Sequence, residues 1–138
     1  MNLKDFIKKV LANPSNVQEK YSLGKLTDEQ VKQIKEKTGL DLNGYERIVD
    51  NFGLQHIIKQ HGIPKEEANR GQIHVTPKDL EKIKEITSDP DEIQLLTKSK
   101  RGGVVIQFIK RIGNLFFYHE EIRTGKKELA AKTLFKRK

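Results

Sequence analysis

The hydrophobic period of this chain changes once, at Ser88-Asp89-Pro90. Upstream, apolar residues recur at helical spacing. Downstream, β-branched and aromatic residues gather in short runs divided by hairpin-like turns. A chain that places its helices first and its strands after is expected to form an α+β domain, not an alternating α/β one. Leu3, Phe6, Ile7, Val10 and Leu11 make one stripe of a short helix, stopped by Asn13-Pro14-Ser15-Asn16. Thr27 and Gln30 have the spacing of a capping box. The helix they open carries Val31 and Ile34 and ends at Gly39, a residue suited to a left-handed cap. Asn43-Gly44 is a turn. Tyr45 to His61 is expected to be helical, in two pieces hinged near Gly53, with Gly62 and Pro64 ending it. Residues 65–75 read as a charged loop. Thr76-Pro77-Lys78-Asp79 starts a further helix with Thr as N-cap and Pro in the first turn, and Leu80, Ile83 and Ile86 are its buried face.

Beyond Pro90 four strands are expected, over residues 93–97, 103–111, 115–122 and 129–136. Ile112-Gly113-Asn114 and Thr124-Gly125-Lys126-Lys127 are the hairpin connections. Gly102-Gly103 reads as a turn into a strand, not a phosphate loop, because no helix follows it. The expected architecture is thus N-terminal helices followed by a four-stranded antiparallel meander. Pairing Lys110 with Leu115 and Ile122 with Leu129 would put Ile106, Phe108, Leu115, Phe117 and Leu134 on the core face, with His119 also toward the helices. Gln107, Ile109, Arg111, Tyr118, Glu120 and Thr133 would lie on the other face. A slip of one residue in any strand exchanges its two faces.

Charge is spread unevenly. Residues 1–97 hold 15 Lys/Arg against 16 Asp/Glu, and residues 98–138 hold 12 against 3. The excess of nine positive charges sits on a folded sheet and points to a polyanionic partner, RNA above all. The 138 residues suffice for one core. The chain has no cysteine, which excludes disulfides and thiolate metal sites. No stretch approaches the roughly 20 apolar residues of a membrane helix, and the charged N-terminus lacks a signal-peptide core. The expected compartment is the cytoplasm, with no membrane partner.

The sharpest local pattern is His56-Ile57-Ile58-Lys59-Gln60-His61-Gly62. Five helical steps put the two imidazoles about 140° apart around the axis, so they do not chelate one metal as an i, i+4 pair does. No HExxH and no calcium-loop spacing occur, and neither a metal nor a cofactor is expected. Histidine suits metal-independent RNA cleavage, which needs one group to take the 2′-OH proton and another to protonate the leaving 5′-oxygen. Lys59, Lys110 and Arg111 are candidate cations for the phosphate. The bland alternative has one histidine capping the helix C-terminus and the other filling a core edge. Tyr118, with Phe116 and Phe117, offers aromatic surface for bases, while His74 reads as a solvated loop residue.

Taken in order, these motifs resemble those of phage-borne nucleases of the barnase–EndoU–colicin–RelE-like superfamily. His56 to Gly62 is similar to the "HIxxRHG" helix of that family. Thr76-Pro77-Lys78-Asp79-Leu80 with Ile83 resembles its second helix, and Asp89-Pro90-Asp91-Glu92-Ile93 its "NPDxI" turn into the sheet. Ala131-Lys132-Thr133-Leu134-Phe135-Lys136 resembles its closing strand. The resemblance implies a nuclease domain over 45–138, with 1–44 as a helical N-terminal extension. It implies catalytic positions at His56, His61 and Thr133; Gln60 stands where the family often has Arg. Lys59, Lys110, Arg111 and Tyr118 are RNA- and phosphate-binding candidates from the residues and the strand register. The implied activity is a metal-independent RNA endonuclease, a toxin or effector of a phage or mobile element. It would act on RNA, tRNA included, and be neutralised by an acidic antitoxin or immunity protein. The competing reading is a non-catalytic nucleic-acid-binding module using the same basic sheet.

Overall fold

The structure, a computed structural model, describes residues 1–96 and 103–138. The ends at Thr97 and Gly102 of the two features expected there lie outside the described residues. Helices α1 (Leu3–Ala12) and α2 (Asp28–Thr38) flank strand β1 (Lys20–Lys25). Then come β2 (Glu46–Asp50), α3 (Asn51–His61), α4 (Pro64–Asn69), α5 (Pro77–Leu80) and α6 (Ile83–Ser88). Strands β3 (Glu92–Leu96), β4 (Val105–Ile112), β5 (Asn114–Arg123) and β6 (Glu128–Arg137) complete the chain. The fold is α+β, and its sheet has six strands in the order β1-β2-β6-β5-β4-β3. All neighbours are antiparallel except β2 and β6, which run parallel, so the sheet is mixed and helices are interspersed among its strands.

Local chemistry explains the element ends. The Thr27 hydroxyl accepts from the Gln30 amide while the Gln30 side chain accepts from the Thr27 amide, and Gly39 takes a left-handed φ of 79°. Thr76 and Asp79 repeat that capping box at α5. The expected helix after Pro77 is two pieces, α5 and α6, separated at Glu81 and Lys82, yet Leu80, Ile83 and Ile86 are all fully buried. The stripe of α1 is buried as its spacing requires, and Phe6, Ile7 and Val10 join one core with Ile34, Leu54, Ile57, Phe108, Tyr118 and Leu134. Each such aliphatic or aromatic side chain contributes roughly 1.5–3 kcal/mol. Residues 1–44 therefore contribute two helices to this core and a strand to this sheet.

Three expectations are corrected. Residues 45–61 are not one helical stretch, because Glu46–Asp50 is a strand set between β1 and β6. Its last four residues are buried, so it has no alternating pattern to betray it. The Asp50 carboxylate then accepts from the Gly53 amide at 2.7 Å and starts α3. Residues 64–69 form α4 with Pro64 in its first turn, not a loop. The C-terminal meander is present, but β2 joins the free edge of β6 and β1 follows it, so four strands become six.

The faces of β4 and β6 are as expected, while β5 is turned over. Arg111, not Lys110, opposes Leu115, so Phe108 meets Tyr118 and Gln107 meets His119. Tyr118 and Glu120 are fully buried in the core, and Phe117 and His119 stand on the opposite face. A bulge then shifts β6: Glu120 faces Ala131 but His119 faces Thr133, leaving Lys132 as the extra residue. Glu120 is held by Arg47 of β2 in a two-pronged pair at 2.7 and 3.1 Å. The Arg47 guanidinium also lies 5.3 Å from the centre of the Phe108 ring. Among the described residues no helix is long and apolar enough to cross a membrane.

Removing one member of a buried ion pair strands the other charge, at a cost of about 3–5 kcal/mol, whereas replacing both by apolar groups is close to neutral. Arg47→Met alone should therefore lower the urea-unfolding free energy by about that amount, and Arg47→Met with Glu120→Leu should recover most of it. Equal losses in the single and double variants would contradict this account of the pair.

Candidate active site

The face of the sheet away from the main core carries an aromatic and imidazole cluster on β5 and β6. Phe117 and Phe135 are register partners, and their rings stack at 4.9 Å with 10° between planes. The His119 ring meets the edge of Phe135 at 5.7 Å. His61, at the end of α3, meets the same ring at 5.7 Å. Thr133 is the register partner of His119, and its hydroxyl oxygen is buried without a hydrogen-bond partner. Buried polar atoms are seldom left unpaired in a native fold, and among the described residues the Gln55, Gln72 and Tyr118 side chains share this state.

Each imidazole is oriented from behind. Gly62 and Ile63 turn the chain into α4, whose fully buried Glu67 carboxylate lies 3.1 Å from His61 Nδ1. Arg70 pairs with the other oxygen of Glu67 and donates to the Gln60 carbonyl at 2.7 Å. An acceptor at Nδ1 fixes the proton there and leaves Nε2 for other chemistry. On the far side, Gln107 Nε2 donates to Gln94 Oε1 at 2.9 Å, so its Oε1 is the acceptor facing His119 Nε2 at 2.8 Å. His119 is therefore protonated on Nε2 and has its lone pair on Nδ1. Burial, followed by the charge of nearby Lys132 and a smaller influence of His61, depresses the His119 pKa to about 4. It is neutral, and a proton acceptor, throughout the physiological range.

The structure brings His61 and Thr133 to this face together. His56 is exposed and lines a neighbouring cleft of about 490 Å³ with Phe52, Gly53, Arg123 and Lys132. Gly53 is required there, since a Cβ on it would stand 2.7 Å from the Ala131 carbonyl oxygen. Lys59 is exposed on α3. Arg111 is exposed, and its guanidinium donates to the Gly113 carbonyl at 3.3 Å.

One expectation fails here and another is qualified. Lys110 lies 3.2 Å from Asp89 and 3.5 Å from Asp91, which raise its pKa, so it must leave these exposed carboxylates to meet a phosphate. Tyr118 cannot meet a base because it is fully buried; burial and then the Glu120 charge hold its phenol well above the usual range.

Sequence reasoning also missed His119, Glu67, Gln107 and Lys132. His119 was assigned to the helix side by the same slip that misplaced Tyr118. Glu67 had a signal, since Pro64 followed by Glu66 and Glu67 is a helix start with acids in the first turn. Among the described residues, no three His, Asp or Glu side chains gather as metal ligands.

Residues 24–138 match a family model described as phage-Barnase-EndoU-ColicinE5/D-RelE like nuclease3. No curated protein and no solved structure matches the chain.

A His119 pKa of about 4 lies below the ordinary 6.5. As pH falls through 6.5 the unfolded chain takes up a proton that the folded chain refuses until about 4. The stability contributed by neutral His119 is thus complete above pH 6.5 and is lost as pH falls through about 4. Histidine proton shifts followed by NMR should give His119 a midpoint near 4, and His119→Gln should flatten this part of the stability-against-pH curve. A His119 midpoint near 6.5 would refute the burial argument.

Proposed function

The chain belongs to this family of phage BECR-like nucleases, and on that premise we propose that it is a metal-independent endoribonuclease, a toxin or effector of a phage or mobile element. The observation that carries the reading is the meeting of His61, His119 and the unpartnered Thr133 hydroxyl around Phe135 on one sheet face. In this reaction the 2′-oxygen attacks the adjacent phosphorus as His119 Nδ1 takes its proton. The bond from phosphorus to the 5′-oxygen breaks, and the leaving oxygen takes the Nε2 proton of His61, which must enter the reaction as the imidazolium with Glu67 as its counter-ion. The products are a 2′,3′-cyclic phosphate and a 5′-hydroxyl. A phosphate beside His119 offsets the charge of Lys132, the second cause of the depression after burial, so substrate binding itself raises the proton affinity of the base. Lys132 and Arg137 are the cations for the developing charge, and Thr133 donates to a phosphate oxygen. Glu67 acts through His61 as a positioning residue. His56, with Arg123 and Lys132 in the neighbouring cleft, binds the continuing strand. Lys59 and Arg111 serve as outer phosphate contacts. An acidic immunity protein would be attracted to the same face.

The test is incubation with total tRNA and with labelled single-stranded RNA in EDTA, followed by analysis of fragment ends. Cyclic-phosphate ends are expected, with rates lowered on the order of 10²–10⁴-fold by His61→Ala and by His119→Ala. Glu67→Gln should lower kcat and leave KM nearly unchanged. His56→Ala should act mainly on KM. RNA left intact by wild-type protein, yet bound with a steep salt dependence, would instead establish a binding module without turnover.

A further inference from the structure

The sheet ends in β1 on one side and β3 on the other, and these two edges are built differently. Natural edge strands are protected by lysines, bulges and prolines. β1 is protected in this way: Lys20 and Lys25 stand at its ends, and its register shifts between Ser22 and Gly24. β3 is not. Glu92 to Leu96 pairs with β4 residue by residue without a shift, and it contains no lysine, arginine, proline or glycine. Its Leu95 side chain is 40% exposed. A regular, partly apolar edge of this kind is a template for another strand.

The backbone groups that β3 offers follow from the ladder. The Ile122 amide donates to the Val104 carbonyl, one register step beyond the pair Val105 and Glu121. Bonded and non-bonded pairs alternate along an antiparallel ladder. The even-numbered residues of β4 therefore bond to β5, and Val105, Gln107 and Ile109 bond to β3. Their partners Leu96, Gln94 and Glu92 turn their backbone groups inward, so Ile93 and Leu95 present theirs at the open edge.

The side chains on this edge are self-complementary. Gln94 Oε1 accepts from Gln107, and Gln94 Nε2 is a donor without a partner among the described residues. An amide oxygen accepts two hydrogen bonds, so two copies of Gln94 set face to face satisfy each other. Helix α2, which packs against β3, carries Asp28, Glu29 and Glu36 against Lys32, Lys35 and Lys37. A two-fold copy thus brings no net charge against its own. At β1 a full overlap would instead set Lys20 opposite Lys25 of the copy, and like charges directly opposite are destabilising.

We propose that β3 is a dimerisation edge, which pairs antiparallel with β3 of a second copy of this chain and is centred on Gln94. That centring alone overlaps the whole strand: Glu92 meets Leu96, Ile93 meets Leu95, and Gln94 meets itself. Ile93 and Leu95 exchange both backbone hydrogen bonds on each side of the axis, and Leu95 gains an apolar neighbour. Gln94 also stands behind Gln107, whose oxygen faces His119. A chain of amides then runs from one His119 to the other, and the strand that braces the base is held from both sides. This catalytic consequence rests on the endoribonuclease reading, whereas the pairing does not.

The chain has no cysteine, so introduced cysteines report the register. Facing residues of a non-bonded antiparallel pair lie about 4.5 Å apart at Cα, within disulfide reach. Gln94→Cys should form a disulfide-linked dimer on mild oxidation. Glu92→Cys alone should not, because its two copies are displaced by about 13 Å along the strands, but it should bridge to Leu96→Cys when the two proteins are mixed. Ser22→Cys on β1 should stay unlinked. Sedimentation of the wild-type chain should show monomer and dimer in exchange between roughly 10 µM and 1 mM, the range of a small transient interface. Leu95→Pro removes an amide that only the second copy uses, so it should abolish the dimer and leave the circular dichroism spectrum unchanged. A wild-type chain monomeric at about 1 mM, no bridge from Gln94→Cys, or equal bridging by Glu92→Cys alone or by Ser22→Cys overturns the proposal. Dimers that leave RNA intact uphold the edge and remove the ribonuclease reading alone. RNA cleavage by a chain that stays monomeric does the reverse.

Discussion

The pairing of Arg47 with Glu120 ties β2 to β5 across the intervening β6, in the least hydrated part of the sheet. Neither charge has water to fall back on, so each enforces the position of the other. The consequence for the exposed face follows from the alternation of a strand. With Glu120 inside, Tyr118 must also be inside, and His119 between them must be outside. A slip of β5 by one residue would expose Glu120, strand Arg47 in the core and bury His119. The register that presents the imidazole is thus held from beneath by a charge pair that never meets a substrate. The bulge at Lys132 completes the arrangement. It brings Thr133, and not its neighbour, opposite His119, and leaves Lys132 free of the regular ladder beside that histidine.

Elements with their own start and stop chemistry were legible in the sequence. The capping boxes at Thr27 and Thr76, the stripe of α1 and the three C-terminal hairpin strands are all determined by residues close together in the chain. Strand β2 was not legible, because a short run buried on both faces has no period that separates it from a buried helix segment. Its partner is β6, some eighty residues away, and local sequence carries no record of that pairing. The face of β5 depended on one residue in the turn at Gly113, where φ is 73° and the chain reverses more tightly than expected. The site divides in the same way. His61 and Thr133 could be nominated because they lie in recognisable local patterns. His119 required the register, and Glu67 required knowing that α4 folds back beneath α3.

Net charge describes this surface less well than its pairing does. The last forty-one residues carry the basic excess, yet several of those cations are already engaged. Lys110 holds Asp89 and Asp91, Lys136 holds Asp79 at 2.7 Å, and Lys132 reaches Glu121 at 3.4 Å. Arg123 lies within 4 Å of both Asp50 and Glu121. Lys136 in particular is a buried structural cation: with Asp79, whose pKa it helps to lower, it fastens the end of β6 to α5. What would remain for a polyanion is a smaller set grouped around the imidazole cluster, with Arg137 at one side and, at the other, Lys132 once it leaves Glu121. In the proposed reaction, long-range attraction would come from the whole excess, and orientation at the phosphate from these few groups.

The two imidazoles reach the face from unrelated parts of the fold. His61 arrives on a helix and is braced by α4 through Glu67. His119 arrives on a central strand and is braced through Gln107 by β3 at the edge of the sheet. Phe135 stands between, touching both rings, so each is packed on one side and hydrogen-bonded on another. Two side chains fixed by separate supports hold their spacing when a ligand enters, because neither depends on the other for its rotamer. The same supports assign the protons without any change in backbone: a carboxylate behind His61 keeps its proton on Nδ1, and an amide oxygen behind His119 keeps its proton on Nε2. The nitrogens left over, Nε2 of one ring and Nδ1 of the other, are both acceptors in the neutral rings, so the proposed reaction needs His61 to carry a second proton, on Nε2. That division follows from which neighbours lie behind each ring, and it would persist if every surface lysine were removed.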